Sequence, residues 1–181
     1  MATCKLNRNI LRTTTCSYSL PKVTDIWVAP FEDISTSAST DTAGCESITA
    51  LTVASGAGVS HIQPAKDSTN FSDSLQVGDA GNKYRTHSIS FNISAAYDAC
   101  MHTTLDDLAL GLWFVVVKTA EGQYLALGRQ TGLEAQADGA NVAGGSDTNG
   151  ISITLSNDCA ESAMPLAEAA VTSLLAAEFD D

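Results

Sequence analysis

Residues 83–93 alternate without a break. His87, Ile89, Phe91 and Ile93 fall on one side, and Thr86, Ser88, Ser90 and Asn92 on the other. A period of two predicts an antiparallel strand with one buried side and one wet or partner-facing side. Residues 71–77 repeat the pattern, with Phe71, Leu75 and Val77 on one face, and DAGN (79–82) supplies turn residues between the two. The segment LWFVVVKT (112–119) is apolar at six consecutive positions and bounded by turn signals, which predicts a central strand. Glu121 and Gly122 begin a tight connection to YLALG (124–128), completing a hairpin. Residues 133–137 and 151–155 read as two further strands. Upstream, 22–31 carries β-branched and aromatic weight in Val23, Ile26, Trp27 and Val28, with Pro30 ending it or placing it at an edge. Residues 47–53 and 59–63 are strand candidates around a turn at 56–58. The Ser/Thr/Asp-rich stretch 35–44 reads as a loop, as does the Gly-rich stretch 137–150, mobile or held by a neighbour.

A helical pattern interrupts the strands at 95–110. Ser94 is a suitable N-cap, Gly111 a suitable stop, and Ala96, Cys100, Leu105, Leu108 and Leu110 form an apolar stripe that Thr103 and Thr104 weaken in its middle. Residues 165–179 are rich in Ala, Leu and Glu and read as a helix outside the β scaffold. No solenoid-length repeat and no Pro- or Gly-rich linker divides the chain. The expected fold is mainly β: an antiparallel β-sandwich or barrel with one flanking α-helix and extended termini. The parts are an N-terminal arm (1–20), a β domain (21–165) and an acidic C-terminal extension (166–181).

Charge changes this picture most. The 181 residues carry a net charge of −12, which disfavours binding to nucleic acid through ion pairs with phosphate. The distribution is lopsided. Lys5, Arg8, Arg12 and Lys22 make up four of the nine Lys and Arg, and no acid precedes Asp25. At the other end Glu168, Glu178, Asp180 and Asp181 follow the last base, Arg129. Such asymmetry points to interaction tails, and its simplest use is head-to-tail association of identical copies. Lys5, Arg8, Arg12, Glu178, Asp180 and Asp181 are therefore the candidate inter-subunit residues. The alternative is that both ends are merely solvated.

Candidate chemistry is sparse. The five cysteines, Cys4, Cys16, Cys45, Cys100 and Cys159, form no CxxC pair, which leaves metal knuckles and redox motifs unsupported and suggests free thiols in a reducing compartment. His61, His87 and His102 lack metal-ligand spacing and read as ordinary surface or strand histidines. Asp138, Asn141, Asp147 and Asn149 offer oxygen ligands for calcium, but the distal bidentate Glu is missing and turn chemistry explains them better. Asp106 and Asp107 are adjacent on the helix and so do not face each other as an acid/base pair. Trp27 and Trp113 lie in apolar strands and read as core. No GxSxG elbow or phosphate loop appears. The expectation is a non-enzyme with no cofactor and no metal. No secretory signal is seen at the N-terminus and no window is long enough to span a bilayer.

Taken together, the motifs resemble a known family. The Cys-containing leader precedes a strand of the form TDIWVAPFED, and the hairpin VVKTAEGQYLALG is followed by GLEA (132–135) and DTNGISITL (147–155). Over most of residues 1–165 the chain resembles the tail-tube type of virion protein encoded by phages and prophages of Bacteroides-like and marine bacteria. The resemblance implies a β-sandwich or barrel with a flanking helix, polymerised as stacked rings through which DNA passes without specific binding. The implied partners are copies of itself and other virion proteins of tail or neck, with no membrane. The implied location is the virion tail, assembled in the host cytoplasm. The Ala-rich acidic tail after Pro165 departs from the pattern, as does the lack of a long apolar hairpin for ring closure. Head–tail connector, tail-terminator and capsid-decorating proteins are the alternative positions, and a monomeric ligand-binding β-sandwich is a separate class.

Overall fold

A computed structural model of the chain describes residues 22–41, 44–94, 99–141 and 150–179. Eleven strands and two helices lie among these residues. The strands are β1 (Val23–Pro30), β2 (Ile34–Thr40), β3 (Glu46–Val53), β4 (Ser60–Ile62), β5 (Asn70–Val77), β6 (Lys83–Ile93), β7 (Leu112–Thr119), β8 (Tyr124–Leu127), β9 (Leu133–Asn141), β10 (Gly150–Cys159) and β11 (Met164–Pro165). The helices are α1 (Ala99–Leu110) and α2 (Glu168–Leu175). Nine strands share one antiparallel sheet, and β2 and β3 form a separate hairpin.

The central strand β7 explains the architecture. One of its edges pairs with β1 along its length. Its other edge is divided: Val115–Lys118 pair with β8, whereas Leu112 and Trp113 pair with β9. The sheet therefore forks at β7. One branch runs to β8 and β11, and the other runs through β9, β10 and β6 to β5, the last strand of that branch among the described residues. The chain crosses the fork at residues 128–132, where Gly132 N–H donates to Gly128 O at 2.8 Å. Both glycines have positive φ (+68° and +67°), and a Cβ at Gly132 would sit 2.5 Å from Leu112 Cγ. Only glycine fits a left-handed backbone packed that tightly.

The fork folds the sheet onto itself in a sandwich-like arrangement that does not close into a barrel. Ile26, Val28, Val115, Val117 and Leu127 face Ile89, Phe91, Ile151, Ile153 and Leu155 of the other branch, and Leu105 and Leu108 of α1 close this core. The alternate residues of the same strands, Trp27, Ala29, Phe114, Val116 and Ala126, face a second core with Ile48, Leu51, Ala170 and Leu174. β1 and β7 are thus covered on both faces, which is why 112–119 reads as an unbroken apolar run instead of an alternating one. β6 and β10 bury only one face each and alternate accordingly.

Three expectations are corrected. Residues 35–40 are strand, not loop: Ile34 and Ala38 pack against the second core, and β2 pairs with β3 from Ile34↔Val53 to Thr40↔Glu46. Within 137–150, Asp138 and Asn141 belong to β9 and pair with Ile153 and Gly150; 142–149 lie outside the described residues. The C-terminal helix does not stand apart from the scaffold. Ala170 and Leu174 are fully buried, so the fold has two covering helices, not one. On α1, Leu105 and Leu108 are buried but Leu110 is 89% exposed. Leu110 is five positions beyond Leu105, about 140° around a helix of 3.6 residues per turn, and so leaves the stripe. Residues 95–98, including Ala96 and the predicted start of the helix, lie outside the described residues.

Candidate functional site

Lys5, Arg8, Arg12, Asp180 and Asp181 lie outside the described residues. Glu178 is described, and it is engaged within its own chain. Its Oε1 lies 2.9 Å from His61 Nδ1, and its Oε2 accepts a hydrogen bond of 3.2 Å from Trp27 Nε1. His61 Nε2 in turn lies 3.1 Å from Asp25 Oδ1, and its ring stacks on Trp27 with centroids 4.9 Å apart. Lys118 Nζ reaches Asp25 Oδ2 at 3.8 Å and sits over the Tyr124 ring. β1, β4, β7, β8 and the segment after α2 all contribute to this cluster. Sequence alone gave Trp27 a core role and His61 none. The signal for their pairing is tertiary, because it depends on the C-terminal segment returning to β4.

A second polar cluster caps the first core where the β5–β6 hairpin leaves the body. Asp73 Oδ1 accepts from Arg85 Nε at 2.6 Å, and its Oδ2 accepts from the Ala163 amide at 2.9 Å. Burial opposes ionisation of Asp73, but the Arg85 and Ala163 hydrogen bonds and the charge of Arg85 outweigh it and hold the carboxyl below its usual range. His87, 1% exposed, accepts from the Gly128 amide through Nδ1 at 3.3 Å, so its proton sits on Nε2. That Nε2 makes no hydrogen bond of ordinary geometry, with Asp73 Oδ1 3.7 Å away. Burial pushes the His87 pKa down despite Asp73 and Glu161. Arg129 grips Glu161 with both Nε (2.6 Å) and Nη2, which raises the guanidinium pKa against the effect of burial. Cys159, buried beside Thr131 Oγ1 at 3.2 Å, has its thiol pKa pushed up, chiefly by burial. The Cys159 thiol is buried with a raised pKa, and the lone pair on His87 Nδ1 is already taken by the Gly128 amide. The cluster terminates a core; it does not assemble a nucleophile.

Beyond this cap the hairpin continues past its neighbour. β10 pairing stops at Cys159↔Arg85, while β5 and β6 go on to Val77↔Lys83. Leu75 and Val77 there are 55% and 62% exposed. Among the described residues β5 pairs only with β6, with no register shift along that pairing, and so is an edge of the sheet. Its outer face continues that of β6 and β10 as a surface of small hydroxyls: Ser72, Ser74, Ser88, Ser90, Thr154 and Ser156. The alternation of 83–93 thus has its buried side on the first core and its hydroxyl side outward.

Among the described residues, no group of three or more His, Cys, Asp or Glu is placed to hold a metal ion. His102 and Asp106 share an exposed turn of α1 at 3.6 Å. Cys159 is a free thiol. No helix among the described residues is long and apolar enough to cross a membrane. Set against known proteins, the chain matches no family model, and no curated protein or solved structure is significantly similar to it.

Proposed function

We propose that the chain is a virion structural protein of the tail-tube type, whose copies associate into stacked rings around a channel for DNA. The observation that carries the reading is the β5 edge with Leu75 and Val77 exposed beside it. An uncovered edge offers a row of backbone donors and acceptors that invites another chain. Monomers blunt such edges with Lys, Pro, a bulge or an inward charge. β5 has no Lys, Pro or bulge, and its one inward charge, Asp73, is neutralised by Arg85 of the same hairpin. The motif resemblance supports a tail position, with other tail or neck proteins as further partners. The net charge of −12 suits a conduit that DNA slides through, since carboxylates repel phosphate and offer no ion pairs to capture it.

The test is size-exclusion chromatography with negative-stain imaging of the full chain. Rings or tubes are expected, together with their loss when Leu75→Glu and Val77→Glu are combined. A strict monomer at high protein concentration overturns the reading.

A further inference from the structure

We propose that Leu75 and Val77 of one copy seat in an apolar cleft between β4 and α1 of the next copy. The chain then carries a knob at one end of β6 and the matching hole at the other. This pairing rests on the association of copies proposed for the chain and names the surfaces that meet.

The knob is the overhang of the β5–β6 hairpin. Phe71, Asp73, Leu75 and Val77 alternate onto one side of β5. Phe71 packs on the first core, and Asp73 belongs to the polar cap that ends it. The same side then runs on past the last residue pair of β10, and there Leu75 and Val77 are exposed. Lys83 pairs with Val77, and directly opposed residues share a face, so an exposed cation rises beside the two apolar side chains.

The hole is a cleft of about 480 Å³. Val28, Leu105, Leu108 and Ile153 line it and are buried residues of the first core, so the cleft opens directly onto that core. Trp113 forms one wall. Its Nε1 donates to Leu108 O at 2.8 Å, and its ring lies against Gly111, where a Cβ would come within 2.5 Å of it. These contacts tie the end of α1 to β7, so the wall is in place before anything binds, as in most binding clefts. Asp107 is the one acid lining the cleft, no Lys or Arg lines it, and the Asp107 side chain is exposed. Among the described residues neither Lys83 nor Asp107 takes part in an ion pair. The knob thus brings a cation to a rim that carries an anion.

Position decides that the occupant is a second copy. Lys83 begins β6, whereas Ile93 ends it and lines the cleft. At about 3.4 Å per residue, the 11 residues of β6 span about 34 Å, so a chain cannot fill its own cleft with its own hairpin. A contact between two different surfaces of identical chains is head-to-tail. It repeats from copy to copy and closes into a ring where the rotation per copy allows.

The test places p-benzoylphenylalanine at Asp79, an exposed turn position next to the knob, in the full chain. Heavy- and light-isotope chains are mixed, irradiated and mapped by mass spectrometry. Crosslinks between copies are expected within 60–63 and 104–113. Lys83→Glu and Asp107→Lys are each expected to lower the assembled fraction several-fold with the unfolding midpoint unchanged, and their combination in one chain to restore it. Assemblies whose crosslinks fall on β5 or on the hydroxyl face overturn the pairing and leave association standing, and so does a double variant no better than the singles. A chain that stays monomeric, with no crosslinks between copies, overturns the pairing and the tail-tube reading together.

Discussion

His87 lies on the apolar side of its strand in sequence, and that placement is what the fold uses: a polar ring at the end of a row of Ile89, Phe91 and Ile93. Its environment makes it a sensor of acid. Burial holds its pKa below the unfolded value of about 6.5. The folded chain therefore binds fewer protons there than the unfolded chain, and the stability tied to a neutral His87 is full above about pH 6.5 and is lost as the pH falls. Asp73 acts in the same sense at lower pH. Its carboxyl is held below the usual range, so its contribution is present above about pH 4 and is lost as the pH falls through the folded value. Asp73→Asn keeps one acceptor for Arg85 but turns an amide toward the Ala163 N–H, which loses its partner. Because Arg85 is one-third exposed, solvent screens the pair, and the expected loss is about 1–3 kcal/mol at pH 7. Urea unfolding at pH 7 and pH 3 checks this. The gap between variant and parent must narrow at pH 3, and an equal gap at both pH values refutes the linkage. The sequence showed which face His87 occupies. It could not show that Gly128, 41 positions away, donates to the ring.

At the scale of elements, legibility followed how local the cause was. β6 begins and ends at the predicted residues because alternation over 83–93 is a property of that stretch alone. β7 was legible as central because cover on both faces leaves an apolar run. β2 was not, because ISTSAST has the composition of a loop and becomes a strand only through its register with β3. α2 was legible as a helix but not as part of the body. Its Ala, Leu and Glu content favours a helix, and Ala170 and Leu174 are four apart on one face. The partners of that face, Ile48, Leu51, Phe114 and Val116, are more than 50 residues away in sequence, and the acidic end made the segment look solvated. A direct test is Leu174→Ala. A fully buried Leu in a two-strand-deep core leaves a cavity costing about 2–5 kcal/mol. A helix outside the scaffold predicts a change within about 0.5 kcal/mol. Thermal or urea unfolding separates the two.

At the scale of the whole molecule, any association must overcome the repulsion of copies that each carry −12. The exposed apolar contribution at the β5 edge is small. Burying Leu75 and Val77 fully is worth about 1.5–3 kcal/mol each, and they are already partly covered. Bringing two chains together costs an estimated 4–15 kcal/mol in lost freedom. Edge hydrogen bonds add only about 0.5–1.5 kcal/mol each in net terms. The β5 edge can therefore fix the register of an assembly but is too weak to carry it against like charge. The missing attraction is available in the sequence: all 21 acids follow residue 24, and Lys5, Arg8 and Arg12 precede them. Within the acidic end, Glu178 is already held by His61 and Trp27 of its own chain. If the arm carries the assembly, its partners are acids of the adjacent copy other than Glu178. Deleting residues 1–20 is expected to abolish rings or tubes by electron microscopy while leaving the unfolding midpoint of the body within a few degrees. In the full chain, assembly followed by light scattering is expected to weaken as salt rises from 0.05 to about 0.5 M, because the screening length falls from about 14 Å to about 4 Å. Apolar packing predicts the opposite slope, since screening relieves the repulsion between acidic bodies and leaves buried area untouched. Tubes that form without the arm, or that strengthen with salt, show that packing along the β5 edge and hydroxyl face carries the assembly and that the basic arm does not.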